Sequence, residues 1–169
     1  TWFDAGPVRI GVEYRLLNDA IAAAAQVADA SGSDEGVTTG IDDRGVSLHV
    51  NGDQDGEDRE FLRFDCFNED PHYHYVSYER NTNEMVHVDR VAHGDPLEFA
   101  LDCIRTRLPQ MLERAGAARL ASQVDLQLVE KTLPKVAAAA YQARFQPPDD
   151  DSIRAKSLAQ AAPVAKAAG

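Results

Sequence analysis

The chain has 169 residues, two cysteines, and 28 acidic against 17 basic side chains, a net charge of −11. That length supports a hydrophobic core without disulfide or metal staples, and two cysteines with no C-x-x-C spacing read as buried, reduced thiols of a cytosolic protein. The acidic surplus repels phosphate backbones and sets nucleic acid aside as a partner, no apolar run reaches the roughly 18 residues of a membrane span, and the first ten residues, TWFDAGPVRI, have no secretory character.

Val8, Ile10, Val12 and Tyr14 alternate with Arg9, Gly11 and Glu13, the period of a strand with one buried face, entered from a Gly6-Pro7 turn. Leu17, Ala20, Ile21, Ala24, Val27 and Ala28 recur at helical spacing and predict a helix stopped by Ser31-Gly32-Ser33. Residues 36–42 and 45–50 read as two short strands about the turn Asp42-Asp43-Arg44-Gly45. The stretch from Asn51 to Asp58, NGDQDGED, reads as an acidic hairpin loop. Aligned on a calcium loop from Asn51, its twelfth position is Leu62, where a bidentate Glu is required.

Phe61 to His93 reads as a β-meander around which the rest is arranged. Leu62, Phe64 and Cys66 alternate with Arg63 and Asp65, Asn68 to Pro71 breaks the run, and four of the five histidines follow: His72, His74, His87 and His93. Asp95-Pro96-Leu97-Glu98 has the N-cap, N1 proline and N3 acid of a helix start. Leu97, Leu101, Ile104, Leu108, Met111 and Ala115 form its stripe, and Gly116 ends it. Asp125 caps a third helix carrying Leu126, Val129, Leu133, Val136, Ala140 and Ala143, although the alternation of Val124, Leu126 and Leu128 leaves a short strand open at its start. Pro109 and Pro134 predict a kink in each helix. Pro147-Pro148 and the acids after it launch a short helix from Ser152 to about residue 161, and the tail beyond has too few large apolar side chains to fold alone. All four lysines lie in residues 119–169, a shift that divides the chain into an α+β domain over 1–118 and an Ala-rich helical extension over 119–169. The predicted fold is α+β: a mostly antiparallel sheet of five to six strands with helices on one side, plus the C-terminal helical extension.

His72-Tyr73-His74 puts two imidazoles on one face of a strand, where they can chelate a divalent metal, and Glu79 completes H-x-H-x4-E. That spacing resembles the first motif of cupins, which implies His72, His74 and Glu79 as ligands. Cys66 and Val86 stand where that motif has glycines, and no second motif follows. As a packed sheet face, the same segment sets Tyr73 and Tyr75 on one side and His72, His74, Val76 and Tyr78 on the other, an aromatic surface of the kind interfaces use. No nucleophile elbow, phosphate loop or H-E-x-x-H is present.

The narrow seam of Leu126, Val129, Leu133, Val136 and Ala140, ending in Tyr141 and Phe145, reads either as packing of the third helix on the chain's own sheet or second helix, or as a surface for self-association, which the thinning of the seam to alanine and a tail with nothing left to cover both suit. Its flanking lysines suit a membrane surface. The leading expectation is therefore a non-catalytic scaffold or accessory subunit without cofactors. It would dock through Tyr73, Tyr75 and Tyr78 on larger enzyme subunits and oligomerise through its C-terminal helices, in the cytoplasm or peripherally on the inner face of the membrane. In size, Arg/Ala-rich composition and order of parts the chain resembles the stalk-forming scaffold subunit of actinobacterial membrane-associated nickel-iron uptake hydrogenases. That resemblance implies docking on catalytic subunits and a helical stalk. The alternative is a small metal-dependent enzyme or metal-binding module built on His72, His74 and Glu79.

Overall fold

The alternation seen in the sequence runs through six strands: β1 (Trp2–Ala5), β2 (Val8–Asn18), β3 (Asp42–Gln54), β4 (Glu57–Phe67), β5 (His72–Ser77) and β6 (Thr82–His87). They form one antiparallel sheet in sequence order, a simple meander. The computed structural model describes residues 1–18, 40, 42–153 and 155. Apart from Leu17 and Asn18, which belong to β2, the helix predicted over 17–28 lies outside the described residues, as do most of the 36–42 strand and the tail helix past residue 155.

Because side chains alternate across a strand, β2 to β5 send Val8, Ile10, Val12, Val46, Leu48, Val50, Leu62, Phe64 and Tyr75 to one face, where all are buried. Among the described residues, α1 (Arg90–His93) is a short helix that buries no residue, and three helices pack with them: α2 (Pro96–Arg114), α3 (Ala118–Ala121) and α4 (Leu126–Phe145). Each fully buried Ile, Leu or Phe contributes about 1.5–3 kcal/mol, so this layer carries the stability of the fold. The helix starts are those the sequence marks. Asp95 accepts from the backbone N–H groups of Leu97 and Glu98, and Asp125 from those of Gln127 and Leu128. Gly116 follows the end of α2 at φ 84°, the left-handed conformation that closes a helix.

Three expectations are corrected. The segment Asp42 to Gly45 is not a turn but the start of β3, paired with Arg15 to Asn18 on one side and, through Gly45, with Phe67 on the other. The hairpin turn lies further on at Asp55-Gly56, both at positive φ (59° and 83°), the pair a tight primed turn needs. The boundary at 118/119 does not divide the core, because Val129, Leu133, Val136 and Ala140 of α4 are buried in the same cluster as Val8 and Ile10 of β2. A seam spent on the chain's own sheet is not free for a second copy, so those four residues are not an oligomer interface. Leu126 and Phe145 stay exposed, and Tyr141 is half-buried with its hydroxyl on Glu98. The next residues also fold back: Ile153 is buried, and Asp150 meets Arg44 at 3.0 Å.

Candidate metal centre

The face of the sheet away from the helices is lined by the polar members of each alternation. Register places Glu13 opposite Ser47, His49 opposite Arg63, Ser47 opposite Asp65, Asp65 opposite His72 and Arg63 opposite His74. Glu60 joins them through a bulge. Val50 pairs with Leu62 while Asn51 pairs with Glu60, so Phe61 is the extra residue, and Glu60 and Arg63, three apart, share a face. Arg63 NH1 lies 3.1 Å from Glu60 Oε1.

Asp65 is the pivot. Its carboxylate is 2% exposed and accepts from Ser47 Oγ at 2.5 Å, Arg15 NH1 at 3.1 Å and Arg63 Nε at 2.9 Å. Burial alone would raise its pKa, but the charge of Arg63, the histidine hydrogen bonds and Arg15 outweigh it and hold the carboxyl well below its ordinary range. His72 Nε2 and His74 Nε2 both lie against the same oxygen, Oδ2, at 3.4 and 3.5 Å.

The far side of each imidazole is already used. His72 Nδ1 is 2.7 Å from the Asp70 carbonyl oxygen, which can only accept, so this nitrogen carries the hydrogen. His74 Nδ1 is 2.9 Å from Asn83 Oδ1. Asp70 is itself held in place, since Asp43 accepts the backbone N–H groups of Arg44, Asn68, Glu69 and Asp70 and so fixes the 68–71 turn. Two Nε2 atoms thus converge on one carboxylate oxygen with both Nδ1 atoms tied to oxygen acceptors, the second-sphere arrangement that orients histidine ligands. Two ligands on one tetrahedral ion at about 2.0–2.1 Å sit about 3.4 Å apart. The contacts at 3.4 and 3.5 Å match that edge, and Asp65, His72 and His74 are grouped closely enough to share an ion.

The titration of the pair is split. Burial alone would lower both imidazoles; for His72 the bond and charge of Asp65 outweigh it and raise its pKa, whereas His74, beside Arg63, stays lowered. Another histidine on this face, His49, sits between Glu60 (Nδ1, 2.5 Å) and Glu13 (Nε2, 3.3 Å). Burial lowers it, but the two carboxylates outweigh burial and raise it. His49, Glu13, Arg15, Asn51, Glu60 and Arg63 line a cavity of about 390 Å³ with Trp2 at its margin.

The sequence-predicted site residues separate accordingly. His72 and His74 come together, both buried; Glu79 does not join them, because it lies exposed in the β5–β6 turn on the way to Gly116. Asp65 takes the acidic position, and its signal in the sequence was the polar half of the Arg63/Asp65 alternation. Tyr73 and Tyr75 face the helices, Tyr73 stacking on Phe64 and Tyr75 lying within the core, so neither is a docking surface; Tyr78 is exposed with Arg59 over its ring. Both cysteines are on the helix side, Cys66 Sγ against the Pro96 carbonyl and Cys103 in the core, where burial pushes both thiols up. No helix among the described residues is long and apolar enough to cross a membrane.

A family model described as a domain of unknown function (DUF7700) matches residues 2–140, and the chain belongs to that family. No curated protein and no solved structure matches it.

Proposed function

We propose that this protein is a metal-binding domain that holds one divalent transition-metal ion between Asp65 Oδ2, His72 Nε2 and His74 Nε2 on the open face of its sheet. The observation that carries the reading is the convergence of two imidazole nitrogens on one carboxylate oxygen while both Nδ1 atoms are spent on oxygen acceptors. Each carboxylate oxygen has room for two partners, so Oδ2 can keep Arg63 and still take an ion. Two imidazoles and a carboxylate suit zinc, iron(II) or cobalt, and with both thiols on the other face no thiolate is at hand. Arg15, Arg63 and Ser47 position the carboxylate; Asp70 and Asn83 position the rings.

Titration of the full chain with Zn2+ near pH 7.5 tests this. One ion per chain with a Kd of about 1 µM or tighter, weakened at least tenfold in both His72→Ala and His74→Ala, is the expected result. Absence of stoichiometric binding, or binding indifferent to both substitutions, overturns it.

The accessory-subunit reading has one observation in its favour: Phe145 is 74% exposed at the end of α4, stacked on Tyr141. Native mass spectrometry of wild type and Phe145→Ser tests that proposal, and a monomer in both cases removes it.

A further inference from the structure

A third imidazole stands at the same corner of the sheet. His87 of β6 is the direct register partner of His72, so their side chains share a face, and the two ring centroids are 6.2 Å apart. The centroids of His72 and His74 are 5.1 Å apart. Two imidazoles bound through Nε2 to one tetrahedral ion have centroids about 5 Å apart, so the first pair is already spaced for it and the second must close by about 1 Å.

His87 is oriented by the same device as the other two. Its Nδ1 lies 2.8 Å from Asp70 Oδ1, a carboxylate oxygen that accepts, so Nδ1 carries the hydrogen and Nε2 keeps its lone pair. Asp70 therefore holds two rings at once, His72 by its backbone carbonyl and His87 by its side chain. Asp70 is anchored in turn, its N–H donating to Asp43 Oδ2 at 2.8 Å. All three histidines of the β5–β6 hairpin present Nε2 and commit Nδ1 to an oxygen. The other β6 side chain beside the pair is Met85, opposite His74, whose thioether is a poor ligand for a borderline divalent ion.

His87 also has freedom that the buried pair lacks: its side chain is 61% exposed on an edge strand and, among the described residues, its one ion pair is with Asp70, so a small torsion change is inexpensive. We infer that His87 is the fourth ligand, which makes the site a closed set of three imidazoles and one carboxylate of the zinc type. This deepens the metal-binding reading and rests on it. A closed four-coordinate ion has no position for substrate or reactive water, and such sites are structural rather than catalytic. It would fasten the edge hairpin β5–β6 to β4, since its ligands come from all three strands.

Cobalt(II) bound to the full-length wild type, His87→Gln and His74→Gln separates the possibilities, because four-coordinate cobalt absorbs strongly in the visible and six-coordinate cobalt weakly. Wild type is expected to give the strong spectrum, and X-ray absorption of the zinc form three imidazoles. His87→Gln should bind about 10- to 100-fold more weakly, at least the loss seen for outer-sphere partners, with a weak spectrum and two imidazoles. Melting of the metal-free protein checks the fold and should be unchanged, since His87 is exposed. An unchanged affinity and spectrum in His87→Gln, with binding lost in His74→Gln, overturns the inference and leaves the three-ligand site standing. A wild type that binds neither cobalt nor zinc overturns both.

Discussion

Asp65→Asn changes one charge and almost no volume, and so isolates what the pivot of the open face does. The carboxylate accepts from Arg15, Arg63 and Ser47 while sealed from solvent. An amide offers one acceptor oxygen and two donors, so at least one guanidinium contact becomes donor against donor. Removing one partner of a buried ion pair costs about 3–5 kcal/mol. Glu60 still holds Arg63 at 3.1 Å, which puts the expectation at the low end, about 3 kcal/mol. In a protein of this size each kcal/mol moves the melting temperature by about 2–4 °C, so the variant should melt about 6–12 °C lower in chelator. Because the folded pKa of Asp65 is depressed, its contribution is present above the unfolded value and is lost as pH falls through the folded one. The gap between the two proteins should therefore narrow below about pH 4. Zinc supplies the second arm. At 100 times the wild-type Kd the ion adds about 2.7 kcal/mol, or roughly 5–11 °C, to wild type, and only about 0.4–1.4 kcal/mol to a variant whose binding is weakened about 10- to 100-fold by loss of one ligand. Equal melting in chelator would show that Asp65 does not organise the face, and equal response to zinc would show that it is no ligand.

Three further outcomes follow from particular contacts. His49 has a raised folded pKa between Glu13 and Glu60, so its stabilisation is present below about pH 6.5 and is lost as pH rises through the folded value; His49→Gln should flatten the fall in urea stability above about pH 6.5, and an unaltered profile refutes the assignment. Asp43→Ala removes the acceptor of the 68–71 turn, which should cost about 1.5–3 kcal/mol and, by loosening Asp70, also weaken zinc binding; stability lost with affinity intact would sever Asp70 from the site. Val136→Arg puts an unpartnered charge against the chain's own sheet and should abolish folding by circular dichroism, whereas a folded product of lower native mass would show that α4 faces another copy.

The sheet, the helix starts at Asp95 and Asp125 and the stop at Gly116 were legible because each rests on local chemistry: alternation, a capping carboxylate, a residue that tolerates positive φ. The pairing of His72 with His74 was legible for the same reason, two residues on one strand face. What was not legible is what other strands bring. Asp65 is seven positions before His72 in sequence and directly across from it in space, and only register makes that so. Glu79, chosen on spacing along the chain, is carried off by the turn after β5. Glu60 reaches the face only through the bulge at Phe61, and a one-residue irregularity leaves no periodic trace. The turn at Asp42 to Gly45 was misread because the Asp43 carboxylate, a turn former by habit, caps a neighbouring turn from within a strand.

The seam on α4 shows how an apolar surplus misleads when a chain is weighed without its topology. Alanine and valine at helical spacing looked like more surface than a small domain could hide, yet the sheet presents Val8, Ile10 and Val12 as the other half of that contact. The reverse holds on the open face. Ser47, Asp65, His72 and His74 are buried there as polar groups, where apolar residues of similar volume would stabilise the sheet as much or more, since replacing buried ion pairs by packed hydrophobes is commonly neutral or favourable. Folding alone thus gives no reason for two imidazole nitrogens and two guanidiniums to crowd one carboxylate. A cation held between those nitrogens and that oxygen does give one, and it draws on the same groups whose desolvation the fold must otherwise offset.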